Sequence, residues 1–334
     1  MKYVIRIVAV LLLLLVVGAA VYVFYSLSNR PDISAFNSLK TLTKASNGPE
    51  LRATFLGVST LLLDDGTTAI LTDGFFTRPN SRQLLLEKIA PDTALIEKTL
   101  QRAGITRLAA VIVNHSHYDH AMDAPEVAAR TGAMLIGSES TANVGRGWGL
   151  PERQIAVHRA GDVVTFGRFR ITLLQGRHVP SPFTGGEIAG PLKPPVRANA
   201  YLEGGSFMVL AEHGDKRILI NASASFVPDA MQGRKADVVF LGTGQLGKRP
   251  ASYMEDYWRE TVERPGARRV IPIHWDDFTR PLDQPLVPLP SLLDDFAASM
   301  KFLTERGKSS GVDIKLPEVF VAFDPFEKLP AARN

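Results

Sequence analysis

Cysteine is absent from the 334 residues of this chain. Disulfide bonds, cysteine-ligated zinc and thiol catalysis are therefore excluded as sources of stability or chemistry. A metal ion held by this protein must instead be bound by His, Asp, Glu or Asn side chains. The absence of cysteine does not by itself identify the compartment.

A strong excess of charge is also missing. Lys and Arg number 38 against 34 Asp and Glu, so the formal net charge is only +4. The chain contains no block of five like charges and no stripe rich in Lys or Arg. Nucleic-acid binding usually requires such a basic surface, so we do not expect a nucleic-acid partner.

Long apolar runs are scarce, with one exception at the N-terminus. Residues Ile7 to Tyr25 are uncharged and almost wholly apolar, and as a helix they would cover about 28 Å, close to the thickness of a bilayer core. Lys2 and Arg6 precede this run, whereas Arg30 is the only nearby basic residue after it. This asymmetry predicts a single-pass membrane protein with a cytoplasmic N-terminus and a periplasmic or extracellular main domain. A cleaved signal peptide is the alternative, but the apolar length favours an uncleaved anchor.

The remaining sequence predicts one α/β domain. We divide the chain into a membrane anchor (1–28), a polar tether (29–48) and a folded domain (49–334). Two stretches rich in short strands are each followed by helices, which indicates two β-sheets packed face to face with outer helices. Residues 180–195 form a long Pro/Gly-rich loop, a type of segment that is usually functional or disordered.

One short motif dominates the candidate functional residues. His115-Ser116-His117-Tyr118-Asp119-His120 directly follows the apolar run 108–113. Imidazole and carboxylate groups are the ligands of zinc and similar ions, and ligands of open α/β sheets bind at the carboxyl ends of strands. A solvated His-rich turn is the alternative interpretation. Further polar residues are predicted at strand ends, namely Asp73, His178, Asn221 and His274.

The H-x-H-x-D-H motif and these ordered strand-end residues resemble the metallo-β-lactamase-fold hydrolases over about residues 52–325. The segment Leu56-Gly57-Val58-Ser59-Thr60-Leu61, with Ile273-His274-Trp275, is similar to the branch of ascorbate-phosphate lactonases and N-acylphosphatidylethanolamine phospholipase D enzymes. The resemblance implies an αββα sandwich of two mixed sheets with outer helices and metals at the mouth between the sheets.

The resemblance also implies a role for each site residue. His115, His117 and His178 would bind one metal, Asp119, His120 and His274 a second, and Asp73 would orient ligands from outside. The expected cofactor is one or two Zn²⁺ ions, with Mn²⁺ or Fe²⁺ as alternatives.

Asn221 departs from the family pattern, which usually has an Asp bridging both metals at this position. A neutral amide predicts a weakened second site or a single-metal enzyme, in which Asp119 would be free to act as general base. The alternative is that Asn221 does not correspond to the bridging position.

The expected reaction is attack by a metal-bound hydroxide on an ester-type bond. A phosphodiester, including one in a lipid, is favoured for a membrane-tethered protein, and a lactone or other carboxylic ester is the alternative substrate. A β-lactam is disfavoured because a fold does not determine its chemistry. A non-catalytic metal-binding scaffold at the membrane is the alternative from another class. The oligomeric state is not predicted.

Three local predictions lie outside the motif. His158 is expected to be structural, and His213 is expected to be solvated in a hairpin turn. Asp123 to Glu126 is typical of a helix capping box. Leu292 to Arg306 has the pattern of a helix.

Overall fold

The N-terminal helix stands apart from the domain core. The computed structural model describes residues 1–40, 42, 44 and 50–332, so the predicted boundary at residue 49 lies outside the described residues. Helix α1 (Lys2–Ser28) has no buried residue. It lies within a segment that reaches a mean hydropathy of 3.1, and it is long and apolar enough to cross a membrane.

The described residues form two sheets of seven strands each. The first sheet consists of β1 (Arg52–Phe55), β2 (Leu61–Asp64), β3 (Ala69–Thr72), β4 (Ala110–Ile112), β5 (Met134–Gly137), β6 (Ile155–Val157) and β14 (Ala322–Phe323). The second sheet consists of β7 (Val163–Phe166), β8 (Phe169–Gln175), β9 (Phe207–His213), β10 (Lys216–Asn221), β11 (Val238–Gly242), β12 (Arg269–Ile273) and β13 (Asp313–Ile314).

Both sheets are mixed, and each has an antiparallel half and a parallel half. The first has the order β14-β1-β2-β3-β4-β5-β6 and the second β13-β12-β11-β10-β9-β8-β7. In the first sheet, the neighbouring strands β14, β1, β2 and β3 pair antiparallel, and the neighbouring strands β3, β4, β5 and β6 pair parallel. In the second sheet β7 to β10 pair antiparallel and β10 to β13 parallel.

The longer helices cover the outer faces of the sheets, whereas the two shortest lie in the connections after β3 and β4. The helices are α2 (Ser81–Leu86), α3 (Thr93–Arg102), α4 (Tyr118–Ala121), α5 (Ala124–Thr131), α6 (Glu139–Trp148), α7 (Ala251–Trp258, continued by a π-helical turn at Arg259–Glu263) and α8 (Phe296–Ser310). Apolar residues of α3 and α5 pack on the first sheet, and those of α7 and α8 pack with the second. The predicted αββα sandwich is confirmed.

Strand β4 explains why the run before the His motif is continuously apolar. Ala110 and Ile112 join the core shared with the second sheet, whereas Val111 and Val113 join the cluster beneath the helices. Successive side chains of a strand point to opposite faces, and both faces of this parallel strand are buried.

The predicted tether lies against the domain where the structure describes it. The carbonyl of Asn29 accepts a hydrogen bond from the amide of Ser291 at 2.9 Å. A short 3₁₀ helix (Ile33–Leu39) follows, and the ring of Phe36 in it packs edge-on against Phe296 with centroids 5.5 Å apart.

Two local helix predictions are wrong in detail. The last helix begins at Phe296 rather than at residue 292, because the Asp295 carboxylate accepts from the amide of Ala298 and starts the helix there. Asp123 does not form a capping box, since its carboxylate accepts hydrogen bonds from the amides of Phe76 and Thr77 instead.

Candidate metal centre

Polar side chains converge where strands of both sheets end. Asp73 follows β3, the His115 to His120 motif follows β4, His178 lies beyond β8, and His274 directly follows β12. The structure therefore brings together the six histidine and aspartate ligands that the resemblance implies, in two groups whose donor atoms lie within 4.8 Å of one another.

The first group consists of His115, His117 and His178. Their ring centroids are 4.7 to 4.9 Å apart. The Nε2 of His117 is hydrogen-bonded to the carbonyl of Phe183 at 3.0 Å, and the Nδ1 of His178 to the carbonyl of Val179 at 2.7 Å. These bonds place the protons on the outer nitrogens. His115 Nε2 is buried and has no hydrogen-bond partner among the described residues, as a metal ligand would.

The second group consists of Asp119, His120 and His274. His120 Nε2 lies 3.2 Å from His274 Nε2, and Asp119 Oδ2 lies 3.5 and 3.4 Å from these nitrogens. The Nδ1 of His120 donates to Asp73, so its Nε2 carries a lone pair. One proton can satisfy only one of these three contacts, whereas a divalent cation would satisfy all of them. The donor set therefore fits a metal ion.

Burial keeps the histidines of the first group neutral. It lowers the pKa of His115 well below its ordinary value, and the electrostatic interactions with His120 and His117 lower it further. Burial also lowers the pKa of His178 to about 4. Metal ions bind neutral imidazole, so neither ligand must lose a proton at neutral pH.

Asp119 is buried, but its carboxyl group is ionised. Its burial opposes ionisation, but the electrostatic interaction with His120 and a hydrogen bond from His274 hold the pKa of Asp119 well below its ordinary value. The carboxylate is therefore ionised beside the two histidines. This favours a role as metal ligand, and the role as general base stays a prediction.

Asp73 holds His120 in place. Its Oδ2 accepts from His120 Nδ1 at 2.9 Å and from the hydroxyl of Ser59. The amide of Asn114 donates to Asp73 Oδ1 at 2.8 Å, and the Asn114 side chain contacts both oxygens. A buried carboxylate with these partners fixes the tautomer and orientation of a ligand, as the predicted outer role requires.

The loop after β1 positions His274. Val58 has φ of 51° and His274 φ of 54°, a region that non-glycine residues rarely occupy. The carbonyl of Val58 accepts from the amide of His274 at 2.6 Å, and the amide of Val58 donates to Asp276 at 2.8 Å. Asp276 is paired with Arg78 at 2.6 Å, with both side chains fully buried.

Glu203 is a site residue that the sequence did not reveal. Its buried carboxylate accepts from the amide of Gly185 at 2.6 Å and from the hydroxyl of Ser206 at 2.7 Å. Its carbonyl accepts from the amide of Ser116 at 2.8 Å. Glu203 thus ties the Pro/Gly-rich loop to the His motif, and the same loop supplies the Phe183 carbonyl to His117. No local sequence pattern marks this residue.

Asn221 ends strand β10 and is buried. Its Nδ2 donates to the carbonyl of Ser225 at 2.8 Å and lies 3.4 Å from the hydroxyl of Tyr257. These contacts orient the amide. Its role as a bridging ligand stays a prediction.

The prediction for His213 is wrong. This residue is the last of β9 and is buried, and its Nε2 is hydrogen-bonded to Asp65 at 2.9 Å. The strand is longer than the sequence pattern indicated, so His213 lies inside the sheet rather than in the turn. His158 follows β6, contacts Asp162 at 3.1 Å and belongs to neither donor group.

Two mixed sheets with buried His/Asp donor groups at the strand ends between them define a class of metal-binding αββα proteins. The model of the metallo-beta-lactamase superfamily matches residues 53–219, which is half of the chain. The chain therefore belongs to the metallo-beta-lactamase superfamily. The match includes Asp73, the His motif and His178, and it ends before Asn221 and His274.

Relatives and solved structures are similar to parts of this chain. A metal-dependent hydrolase of Heliobacterium modesticaldum is 31% identical over 122 residues, which is 36% of this chain and 44% of that protein. A hydroxyacylglutathione hydrolase of Methylobacterium nodulans is 39% identical over 77 residues, 23% of this chain and 28% of that protein. The chain thus matches less than half the length of these two relatives.

Among solved structures, Igni18, a metallo hydrolase from Ignicoccus hospitalis, has a TM-score of 0.53 at 16% identity and covers 82% of this chain and 98% of its own. An isothiocyanate hydrolase from Delia radicum gut bacteria has a TM-score of 0.53 at 20% identity, with coverage of 82% and 98%. At these identities the likeness establishes the fold.

Proposed function

We propose that this protein is a metal-dependent hydrolase that cleaves an ester-type bond, with a phosphodiester as the favoured substrate. The observation that carries the proposal is the convergence of His120 Nε2, His274 Nε2 and an Asp119 oxygen beside the buried first group. The names of the relatives, which are metal-dependent and hydroxyacylglutathione hydrolases, support the same reaction class.

The nitrogen-rich donor set favours Zn²⁺, and Mn²⁺ or Fe²⁺ would be accepted by the same ligands. Such ions lower the pKa of coordinated water and polarise a phosphoryl or carbonyl oxygen.

The residues of the chain supply orientation and charge. Asp73 keeps the Nδ1 proton of His120 outside the centre, and the Phe183 carbonyl does the same for Nε2 of His117. The ionised Asp119 offsets positive charge in the second group. If only one ion binds, this carboxylate would be free to act as the general base that the sequence predicts.

The membrane-spanning candidate helix supports a lipid as substrate. Arg30, two residues beyond α1, pairs with Asp277 at 2.7 Å, and Asp277 lies three residues after His274. The helix therefore ends close to the chain segment that carries a proposed ligand. We infer that the domain acts at a membrane, on the periplasmic or extracellular side that the flanking charges predict.

The test uses the full chain in detergent, with metal content and hydrolysis measured together. The substrates are a soluble phosphodiester, a phospholipid, a lactone and a β-lactam. His117→Ala and His178→Ala should each abolish tight metal binding and turnover, because each removes one ligand of the first group. His158→Ala is the matched control and should retain both properties, since His158 contacts Asp162 outside the centre.

The outcome separates the proposals. Turnover of the phosphodiester or phospholipid supports the favoured substrate, and preferential turnover of the lactone supports the carboxylic-ester alternative. Metal binding without hydrolysis of any substrate would identify the protein as a metal-dependent scaffold. Full hydrolysis by metal-free His117→Ala would refute the metal-dependent reaction.

A further inference from the structure

Exposed apolar side chains are unevenly distributed over the domain. Outside α1, the described residues include seven large hydrophobic side chains that are 40 to 74% exposed, namely Leu85, Leu86, Val157, Val163, Phe183, Leu292 and Leu293. Single exposed hydrophobic residues are common on soluble proteins, so their placement matters more than their number. Val157 and Val163 lie on β6 and β7, and the other five lie in the connections that follow β3, β8 and β12, the same connections that carry Asp73, His178 and His274.

Leu85, Leu86 and Phe183 belong to connected loops. Helix α2 carries the two leucines in the connection that leaves β3 after Asp73. The carbonyl of Leu85 accepts from Arg197 at 3.0 Å, which joins this connection to the segment directly after the Pro/Gly-rich loop. Phe183 lies in that loop, and its carbonyl contacts His117 while its ring is 67% exposed.

Leu292 and Leu293 directly follow Ser291, which contacts the first residue after α1. The amide of Ser291 donates to the carbonyl of Asn29, the residue directly after the helix. Arg30 donates to the carbonyl of Pro288 at 2.6 Å and pairs with Asp277. The end of α1 is therefore held against the connection between His274 and α8, so the helix fixes which face of the domain lies nearest to the membrane.

We propose that the apolar rim, defined as Leu85, Leu86, Phe183, Leu292 and Leu293, rests on the surface of the bilayer that holds α1. The inference rests on the proposed membrane location and deepens the proposed function. The occupant of the rim is the lipid surface, because the contacts of Asn29 and Arg30 place the end of the spanning helix at this face. An amphiphilic substrate would then reach the metal centre from the membrane, with its ester-type bond at the level of the headgroups.

The absence of cysteine allows a direct test. Full-length single-cysteine variants Leu86→Cys, Phe183→Cys and Leu293→Cys are spin-labelled and placed in vesicles of phosphatidylcholine and phosphatidylglycerol. Val157→Cys and Val163→Cys are matched controls on exposed apolar residues of strands β6 and β7 that are not part of the rim, and Leu14→Cys reports on α1. Electron paramagnetic resonance then compares collisions with oxygen, which concentrates in lipid, and with a water-soluble nickel chelate.

The rim labels and the Leu14 label should collide several-fold more with oxygen than with nickel, and the Val157 and Val163 labels should show the reverse. A lipid-embedded Leu14 label with solvent-exposed rim labels would refute the docking while leaving the anchor intact. A solvent-exposed Leu14 label would overturn the membrane premise. Rim protection that persists in detergent and increases with protein concentration would assign the rim to a second copy. The readout requires no turnover, so it stands or fails separately from the hydrolase proposal.

Discussion

The substitution Asp73→Asn isolates the effect of the outer carboxylate on the metal centre. The two side chains have the same shape, and both residue types tolerate the φ of 56° at this position. In the native chain, Asp73 Oδ2 accepts the Nδ1 proton of His120 at 2.9 Å. An amide nitrogen at the Oδ2 position would present a proton to Nδ1, so the stable tautomer of His120 would carry its proton on Nε2 instead.

That proton would point at the second donor group, where His274 Nε2 lies 3.2 Å away. Loss of such outer hydrogen bonds typically costs 10- to 100-fold in metal affinity, which corresponds to about 1.4 to 2.7 kcal/mol. We expect a loss of this size for the ion held by Asp119, His120 and His274. The first group should lose less, because its outer acceptors are backbone carbonyls that the substitution leaves in place.

The measurement is a competition titration of the full chain with a chromophoric chelator, together with metal analysis after dialysis. Ser59→Ala is the matched control, because it removes the hydroxyl that donates to Asp73 and lies 3.0 Å from His120 Nδ1, but it leaves the Asp73 carboxylate in place to accept the Nδ1 proton. Wild-type affinity for both ions in Asp73→Asn would refute the proposed role of Asp73.

Three further predictions concern the surroundings of the site. Gly57→Ala should destabilise the fold by about 3 kcal/mol or more in chemical denaturation, because a Cβ would lie 2.0 Å from the buried Arg78 guanidinium at a φ of 93°. Gly66→Ala is the control, since its Cβ meets no atom within 4 Å, and it should cost about 1 kcal/mol. Arg30→Gln should loosen the segment after α1, because it leaves the Asp277 charge unpaired. The Ser291 amide, which donates to Asn29, should then exchange roughly tenfold faster, and unchanged exchange would contradict a stabilising role for the Arg30–Asp277 pair. Burial opposes ionisation of Asp65, but hydrogen bonds from Thr68, His213 and Thr67 lower its pKa, so wild-type stability should fall as the pH drops below about 4. His213→Leu should make that fall shallower, and an unchanged dependence of stability on pH would count against the His213–Asp65 pair.

The fold and the ligands could be predicted because their signals are local in the sequence. The apolar run before His115 is continuous because both faces of β4 are buried, and a buried strand places the following residues at the edge of its sheet. The H-x-H-x-D-H spacing then puts several ligands on one short loop and turn. His178 and His274 follow strands in the same way.

The supporting contacts could not be predicted because they join distant parts of the chain. Arg78 pairs with Asp276, His213 with Asp65, and Glu203 with Gly185. None of these residues lies in a periodic pattern or a motif that names its partner. Asp123 shows how a local pattern can mislead. Its sequence context is typical of a helix capping box, but its carboxylate accepts hydrogen bonds from the amide and hydroxyl of Thr77 in a distant part of the chain.

The two donor groups differ in how firmly their ligands are held, which bears on how many ions bind. His117 and His178 each give a ring proton to a backbone carbonyl. His274 has a positive φ and depends on Val58, and its Nδ1 is buried without a hydrogen-bond partner among the described residues. Ligand orientation by outer hydrogen bonds raises metal affinity, so the second group should be the weaker one. Asn221 also favours a weaker second ion, since a neutral amide at a bridging position would offset less of the positive charge of two metal ions than a carboxylate. A titration should therefore show two phases, with the tighter phase lost in His178→Ala and the weaker phase shifted to lower affinity in Asp73→Asn.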